Sequence, residues 1–392
     1  MASLNSTPSG ERIKIGFFGL RNVGKSSLVN RITNQAVSLV SDVLGTTTDP
    51  VKKAMELLPL GAVLIVDTPG IDDEGELGEM RVKKTREMLK ATDIAVIVRE
   101  AGKEETELEA ELLKSVREMN IPYLLVFNKA DDAPEKGENG AVYVSAKTGE
   151  GIEELKNRIA ALAPKENEKK LISDKIEKGD IIVLVTPIDE AAPKGRLILP
   201  QQATIRDIID SSASALVCQP SELSGLLENL KNPPKMVITD SQAFKEVEKI
   251  IPREIPLTSF SIIFARYKGE LEALSRGAEA IKALKDGDKV LIAEGCTHKR
   301  QCGDIGSVKI PKLIKKFTGA EPQFSFTSGG EFPEDLKEYK LVIHCGGCML
   351  SEREMQNRLS ASVMEGVPMV NFGVAIAFMN GILERSLEIF KD

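Results

Sequence analysis

Two short segments concentrate the metal-binding chemistry of this 392-residue chain: Cys296-Thr297-His298 and His344-Cys345-Gly346-Gly347-Cys348. The chain has two histidines and five cysteines, and these segments hold both histidines and three of the cysteines. Thiolate and imidazole are soft to borderline ligands suited to iron-sulfur clusters and to zinc, and two such segments brought together by a fold can enclose one metal centre. Cys296, Cys345 and Cys348 with one histidine would complete a structural Cys3His zinc site. Gly346-Gly347 inside the CxxC instead offers close backbone N–H groups to bridging sulfides, which a cluster uses and zinc does not need. The residues thus favour an iron-sulfur cluster with three cysteine ligands and a replaceable fourth position. That position is open between His298, His344, Cys302, Asp304 and an exogenous group.

A second constellation lies in the N-terminal third. The apolar run Ile13 to Phe18 feeds Gly19-Leu20-Arg21-Asn22-Val23-Gly24-Lys25-Ser26-Ser27, after which Leu28, Val29 and Ile32 recur at helical spacing. In this strand-loop-helix setting GxxxxGK[ST] wraps phosphates in backbone N–H groups at a helix N-terminus, with Lys25 for the β and γ phosphates and Ser26 for magnesium. Ala62 to Val66 reads as a strand ending in Asp67-Thr68-Pro69-Gly70, where Asp67 can hold magnesium through water and Gly70 lets an N–H approach the γ phosphate. Between them lies Gly45-Thr46-Thr47-Thr48-Asp49, with Thr46 and Thr47 placed to close a hydroxyl over the magnesium. Tyr123 to Phe127 ends in Asn128-Lys129-Ala130-Asp131, and the Asp131 carboxylate can accept from guanine N1–H and the 2-amino group, a donor pair adenine lacks. Ser145-Ala146-Lys147, after the strand Val142 to Val144, completes the base pocket.

The elements that must position these residues read as an α/β chain of three domains, at roughly 150 residues per domain. A helix from Gly151 to Leu162 closes the first, residues 10–164, and the charged run Pro164 to Lys170 is a linker. The middle domain, residues 171–265, reads as strand Asp180–Val185, helices Thr204–Ser211 and Ser221–Leu230, strand Met236–Thr239 and helix Gln242–Ile250. It has no cluster of reactive residues, and Cys218 reads as a structural thiol. Such a unit is expected to join domains or subunits, and dimerisation is the expectation. In the third domain, residues 266–392, helix Leu271–Leu284 precedes strand Lys289–Ala293, helix Pro311–Phe317 and strand Leu341–Ile343. Both ligand segments then follow the carboxyl ends of strands, where sites gather in parallel sheets. A core of its own is expected for this domain.

Bulk properties narrow the partners. The formal charge is −7, aromatic content is 4% and tryptophan is absent, a poor match to a nucleic-acid binder. An odd number of cysteines in metal-ligand spacing points to a reducing cytoplasm rather than a disulfide framework. Met1 to Arg12 lacks the pattern of a signal peptide. Val367 to Leu383 is interrupted by Asn371, Gly373 and Asn380, so it reads as a buried strand and core helix rather than a membrane span.

Five nucleotide motifs in this order resemble the Era/TrmE-like branch of the small GTPases over about residues 10–164. That resemblance implies slow hydrolysis of GTP with Mg2+, since Ile71 stands where Ras-like proteins carry a water-orienting glutamine. It also implies a K+ ion, coordinated with the help of Asn22. With a middle domain lacking a site and the CxH…HCxxC segments, the whole chain resembles the HydF family, the maturation GTPases of iron-iron hydrogenases. The resemblance implies a 4Fe-4S cluster on Cys296, Cys345 and Cys348, with His298 and His344 at or beside the fourth site. It further implies a homodimer that receives a transient di-iron precursor made by two radical-SAM maturases and passes it to the iron-iron hydrogenase apo-protein. The alternative is a zinc-stabilised or RNA-associated GTPase of the same branch.

Overall fold

A computed structural model describes residues 10–33, 51–58, 60–71, 84–131, 140–163, 170–188, 197–268, 271–295 and 304–391. The chain divides into two compact units, Met1–Asn167 and Glu168–Asp392. In the first, strands β1 (Ile13–Phe18), β2 (Val51–Leu57), β3 (Gly61–Asp67), β4 (Ile94–Glu100), β5 (Tyr123–Asn128) and β6 (Val142–Tyr143) form one sheet in the order β2-β3-β1-β4-β5-β6. All pairs are parallel except β2 with β3. Alternate side chains face opposite ways along a strand, so two cores result. Ile15, Phe17, Ile65, Val96 and Val126 pack on one face with α1 (Lys25–Ile32) and α3 (Ile152–Ala161). Phe18, Ala95 and Ile97 pack on the other with α2 (Glu107–Glu118), through Leu112 and Val116, and with Leu89. Thr106 starts α2 with a capping box to Glu109, which satisfies two otherwise orphaned donors.

The second unit holds two four-stranded parallel sheets. One has β7 (Ile181–Val185), β8 (Ser214–Cys218), β9 (Met236–Thr239) and β10 (Leu257–Ser259) in the order β10-β9-β7-β8. The other has β11 (Lys289–Glu294), β12 (Gln323–Ser328), β13 (Leu341–His344) and β14 (Met369–Asn371) in the order β12-β11-β13-β14. The same connectivity is used twice: the second strand of each set lies outside the first, and the third and fourth lie on its other side. The helices used below are α4 (Leu199–Asp210), α5 (Leu223–Asn229), α6 (Phe244–Ile250), α7 (Phe260–Tyr267), α8 (Leu271–Ala278), α9 (Ile310–Thr318), α10 (Glu352–Met364) and α11 (Phe372–Met379).

The expected separate core for the C-terminal sheet needs correction. Val183, Val185 and Val237 of the first sheet share one core with Val290, Ile292, Leu341 and Ile343 of the second, bridged by residues of α5, α6, α9 and α11. On the other faces, Ile182, Leu184 and Ile238 pack on Ile208 and Phe264, with Phe390 from the C-terminal end against them, and Leu291, Ala293 and Val342 pack on Met355 and Leu359, with Ala265 of α7 in the same core. Helices α7 and α11, which follow the fourth strand of each set directly, are capped by Ser259 and Asn371. They meet where the Cα of Gly373 faces the Cβ of Ser261, with no room for a side chain on the glycine.

Helix α8 lies so close to β14 that a Cβ on Gly277 would overlap the backbone carbonyl of Met369. Glycine to alanine normally favours a helix by about 1 kcal/mol, but here the obstacle is backbone and cannot rotate away. Gly277→Ala is expected to destabilise the unit by about 1–3 kcal/mol, read as a fall in Tm of roughly 2–12 °C; an unchanged or higher Tm would contradict this packing.

Candidate functional site

The phosphate-binding loop runs from β1 into α1, and its backbone conformation explains its residues. Gly19, Asn22 and Gly24 have φ of +145°, +60° and +90°, a region favoured by glycine and tolerated by asparagine. Lys25 is 6% exposed, and its Nζ donates to the carbonyls of Gly19 at 2.9 Å and Leu20 at 2.6 Å. The ammonium is thereby held at the loop. Across from it, β3 ends at Asp67, whose carboxyl is pushed up chiefly by burial, against a hydrogen bond from Ser26 and the charges of Lys25 and Lys53. Asp67 Oδ1 is buried with no hydrogen-bond partner among the described residues. A divalent cation beside such an oxygen would oppose that upward push, so Ser26 and Asp67 fit a magnesium site. Gly70 lies against Arg21, where a Cβ would strike its backbone. Ile71 is 5% exposed and packs into the apolar core with Leu89 and Leu112; it orients no water.

The base end is braced through Asn128. Its Nδ2 donates to the Val23 carbonyl at 2.9 Å, and its Oδ1 accepts from the Ala146 N–H at 3.0 Å, tying the phosphate loop to the Ser145-Ala146-Lys147 loop. Lys129, at φ +63°, pairs with Glu100 at 2.8 Å. A hydrogen bond from Ser145 is the main influence holding the Asp131 carboxyl below its usual range, and Lys147 lies 3.9 Å from it. An ionised acceptor at this place suits the donor edge of guanine. A Cβ on Gly24 would overlap Asn128 Nδ2 in a left-handed backbone. Gly24→Ala is therefore expected to weaken guanine-nucleotide binding by at least about tenfold, ~1.4 kcal/mol; fluorescent-nucleotide titration showing unchanged affinity would refute the bracing role. Thr46 and Thr47 lie outside the described residues.

In the second unit, β11 and β13 are neighbours whose chains leave towards opposite sides of the sheet, so their carboxyl ends form a switch-point crevice. Cys345 begins the loop after β13, its N–H donating to Ala293 of β11 at 2.9 Å. Its Sγ accepts from the N–H of Gly295 at 3.0 Å and, more loosely, of Gly347 at 3.4 Å. Backbone N–H donors converging on a sulfur stabilise its thiolate and are one of the influences that tune a cluster where one is bound. Gly347 has φ +62° and sits against Met355 of α10. The Cys348 thiol is pushed up by burial, which outweighs the opposing influence of Lys268 and of the backbone N–H groups of Cys348 and Met349. Cys296, His298 and Cys302 lie outside the described residues. Cys345 and Cys348 share one loop, and no group of three or more candidate ligands is gathered among the described residues.

The structure bears on two of the candidates for the fourth ligand. His344 is fully buried, and both ring nitrogens are engaged: Nδ1 with the Cys345 carbonyl at 2.7 Å and Nε2 with Arg358 at 2.8 Å. A carbonyl only accepts and a guanidinium only donates, so Nδ1 carries the proton and Nε2 has no lone pair left for a metal. Burial, reinforced by Arg358, lowers the imidazole pKa to about 3. His344 is thus a brace behind Cys345 rather than a ligand in this arrangement. Asp304 accepts at Oδ2 from both N–H and Oγ of Ser307, each at 2.8 Å, capping the turn Ile305–Lys309; one of its oxygens is committed there. Arg358 and Lys268 had no signal in the sequence, because both reach the loop only through tertiary packing.

Residues 171–269 match the family model described as hydrogen maturase F dimerization domain, and residues 272–389 match that of the hydrogen maturase F tetramerization domain. The chain belongs to the hydrogen maturase F family. In this family member, residues 14–129 also match the model described as 50S ribosome-binding GTPase. The tRNA modification GTPase MnmE of Bordetella petrii is 32% identical over 158 residues, covering 39% of this chain and 34% of that protein. The GTPase Der of Campylobacter concisus is 34% identical over 130 residues, covering 32% of this chain and 28% of that protein. The chain thus spans about a third of the length of the curated relatives it matches. Among solved structures, Era of Aquifex aeolicus is similar at 19% identity and a TM-score of 0.35, covering 52% of this chain and 91% of that one.

Proposed function

We propose that this chain is a GTP-hydrolysing scaffold and carrier in the maturation of iron-iron hydrogenases. It holds a 4Fe-4S cluster through Cys296, Cys345 and Cys348, accepts a di-iron precursor produced by two radical-SAM maturases, and delivers it to the apo-hydrogenase. The observation that carries the reading is the Cys345 sulfur, met by two backbone N–H groups at the switch point of the C-terminal sheet, in a chain whose second unit matches two hydrogen maturase F domains. When bound, the cluster supplies an iron with a replaceable ligand to which cargo can attach. The protein's part is to present three thiolates, shield them among buried residues and leave one position open.

At the other site, Lys25 offsets charge on the β and γ phosphates, Ser26, Thr47 and Asp67 hold Mg2+, and the Gly70 N–H faces the γ phosphate. Asn22 helps hold K+ in the place of an arginine finger. With Ile71 buried and no side chain orienting water from that position, turnover is slow and stimulated by potassium. The chain works in the cytoplasm as an assembly of copies, for which the dimerization and tetramerization domain models are the support. No helix of the described residues is long and apolar enough to cross a membrane.

The test is anaerobic reconstitution with iron and sulfide, followed by electron paramagnetic resonance of the reduced protein with and without cyanide or imidazole. A 4Fe-4S signal that shifts with the added ligand is expected. Tightly bound zinc with no cluster signal would overturn the carrier reading and favour the zinc-stabilised GTPase.

A further inference from the structure

The cysteine loop is pinned at both ends by buried cations from different parts of the second unit. At its start, Arg358 of α10, 6% exposed, donates through one guanidinium nitrogen to His344 Nε2 at 2.8 Å and through the other to the Gly329 carbonyl at 2.7 Å. The guanidinium also lies over the Phe332 ring, 5.1 Å from its centroid. At the loop's end, Lys268, just past α7 and 4% exposed, donates to the Leu350 carbonyl at 2.7 Å. Between them the loop closes on itself through the Leu350 N–H to the Gly347 carbonyl. Buried cations are costly unless opposite charge lies near. Glu354 of α10 and the Cys345 sulfur both favour the charged form of Arg358, Lys268 favours the thiolate of Cys348, and a cluster held by three thiolates would add net negative charge at the same place.

We propose that Arg358 and Lys268 are positioning residues that hold the Cys345–Cys348 loop in shape and supply the positive charge that offsets the cluster bound there. The proposal rests on the cluster reading above. His344 then serves as the spacer through which Arg358 acts on Cys345. Positive charge close to a cluster favours the reduced form, which carries one more negative charge, and so raises the reduction potential. Lys268 belongs to the stretch of the dimerization-domain model and the loop to that of the tetramerization domain, so the cluster's electrostatics depend on how those two parts pack.

The experiment uses the full chain, reconstituted anaerobically, as wild type, Arg358→Gln, Arg358→Lys, Lys268→Met and the double variant Arg358→Gln/Lys268→Met. Iron and sulfide content, thermal melts and redox titrations followed by electron paramagnetic resonance are recorded for each. The expected result is a more negative midpoint potential in Arg358→Gln and in Lys268→Met, a larger shift in the double variant, and a return towards wild type in Arg358→Lys. Wild-type potentials in cluster-loaded neutral variants would overturn the proposal. If Arg358→Gln does not load, recovery of cluster in Arg358→Lys supports it, and loss in both at an unchanged melting temperature overturns it. Failure of the wild type to take a cluster would strike the proposed function itself, a result distinct from all of these.

Discussion

Lys25→Ala is expected to lower GTP turnover by about 100- to 1,000-fold, ~3–4 kcal/mol, the usual cost of removing one group aimed at developing transition-state charge. The physical reason is position: Lys25 Nζ is tethered by two loop carbonyls at the phosphate loop, so its charge arrives already oriented. The same substitution should leave iron and sulfide content unchanged. Lys25 belongs to the Met1–Asn167 unit and the described cysteine loop to the Glu168–Asp392 unit, each with cores of its own. Phosphate release and iron analysis on one preparation check both halves of the expectation. A cluster lost together with hydrolysis would show that the two sites form one folding unit.

Cys345→Ser should abolish stable cluster binding while GTP turnover persists. The hydroxyl keeps the shape of the thiol and can accept the same N–H groups, but it is a poor soft ligand for iron. Bound iron is expected to fall by more than about tenfold, the lower end of what even outer-shell changes cost a metal site. Cys218→Ser provides the contrast. That thiol is buried at the end of β8, and burial, with a smaller influence from Glu222, pushes it up, so its loss should leave iron content at the wild-type level. Iron retained in Cys345→Ser would remove Cys345 from the cluster.

The legibility of this chain follows the locality of its chemistry. The phosphate loop, Asp67-Thr68-Pro69-Gly70 and Asn128-Lys129-Ala130-Asp131 could be read because phosphate and guanine contacts demand particular residues within a few positions of one another. Cys345 and Cys348 were readable for the same reason. Edge strands were harder. β12 reads Gln-Phe-Ser-Phe-Thr-Ser and none of its residues is fully buried, and β8 is largely unburied until Cys218, so neither shows the apolar run of an inner strand. β4 is fully apolar over Ile94 to Val98, but it carries no motif residue. Helix α10 lacks a clean apolar stripe because its buried face carries Arg358 and Ser362 beside Met355 and Leu359. The role of His344 was out of reach altogether, since a histidine beside a cysteine looks like a ligand until the arginine behind it is seen.

The doubled strand order of the second unit has a consequence for how that unit comes apart. Because β7 and β9 share a core with β11 and β13, and α7 meets α11 at Ser261 and Gly373, neither set of four strands owns its stability. Cut between residues 269 and 272, the C-terminal piece would bare Val290, Ile292, Leu341 and Ile343 to water, a contiguous apolar face of the kind that drives aggregation. The unit should therefore melt in one calorimetric transition, and the cysteine loop should be lost together with the sheet that carries no ligand of its own.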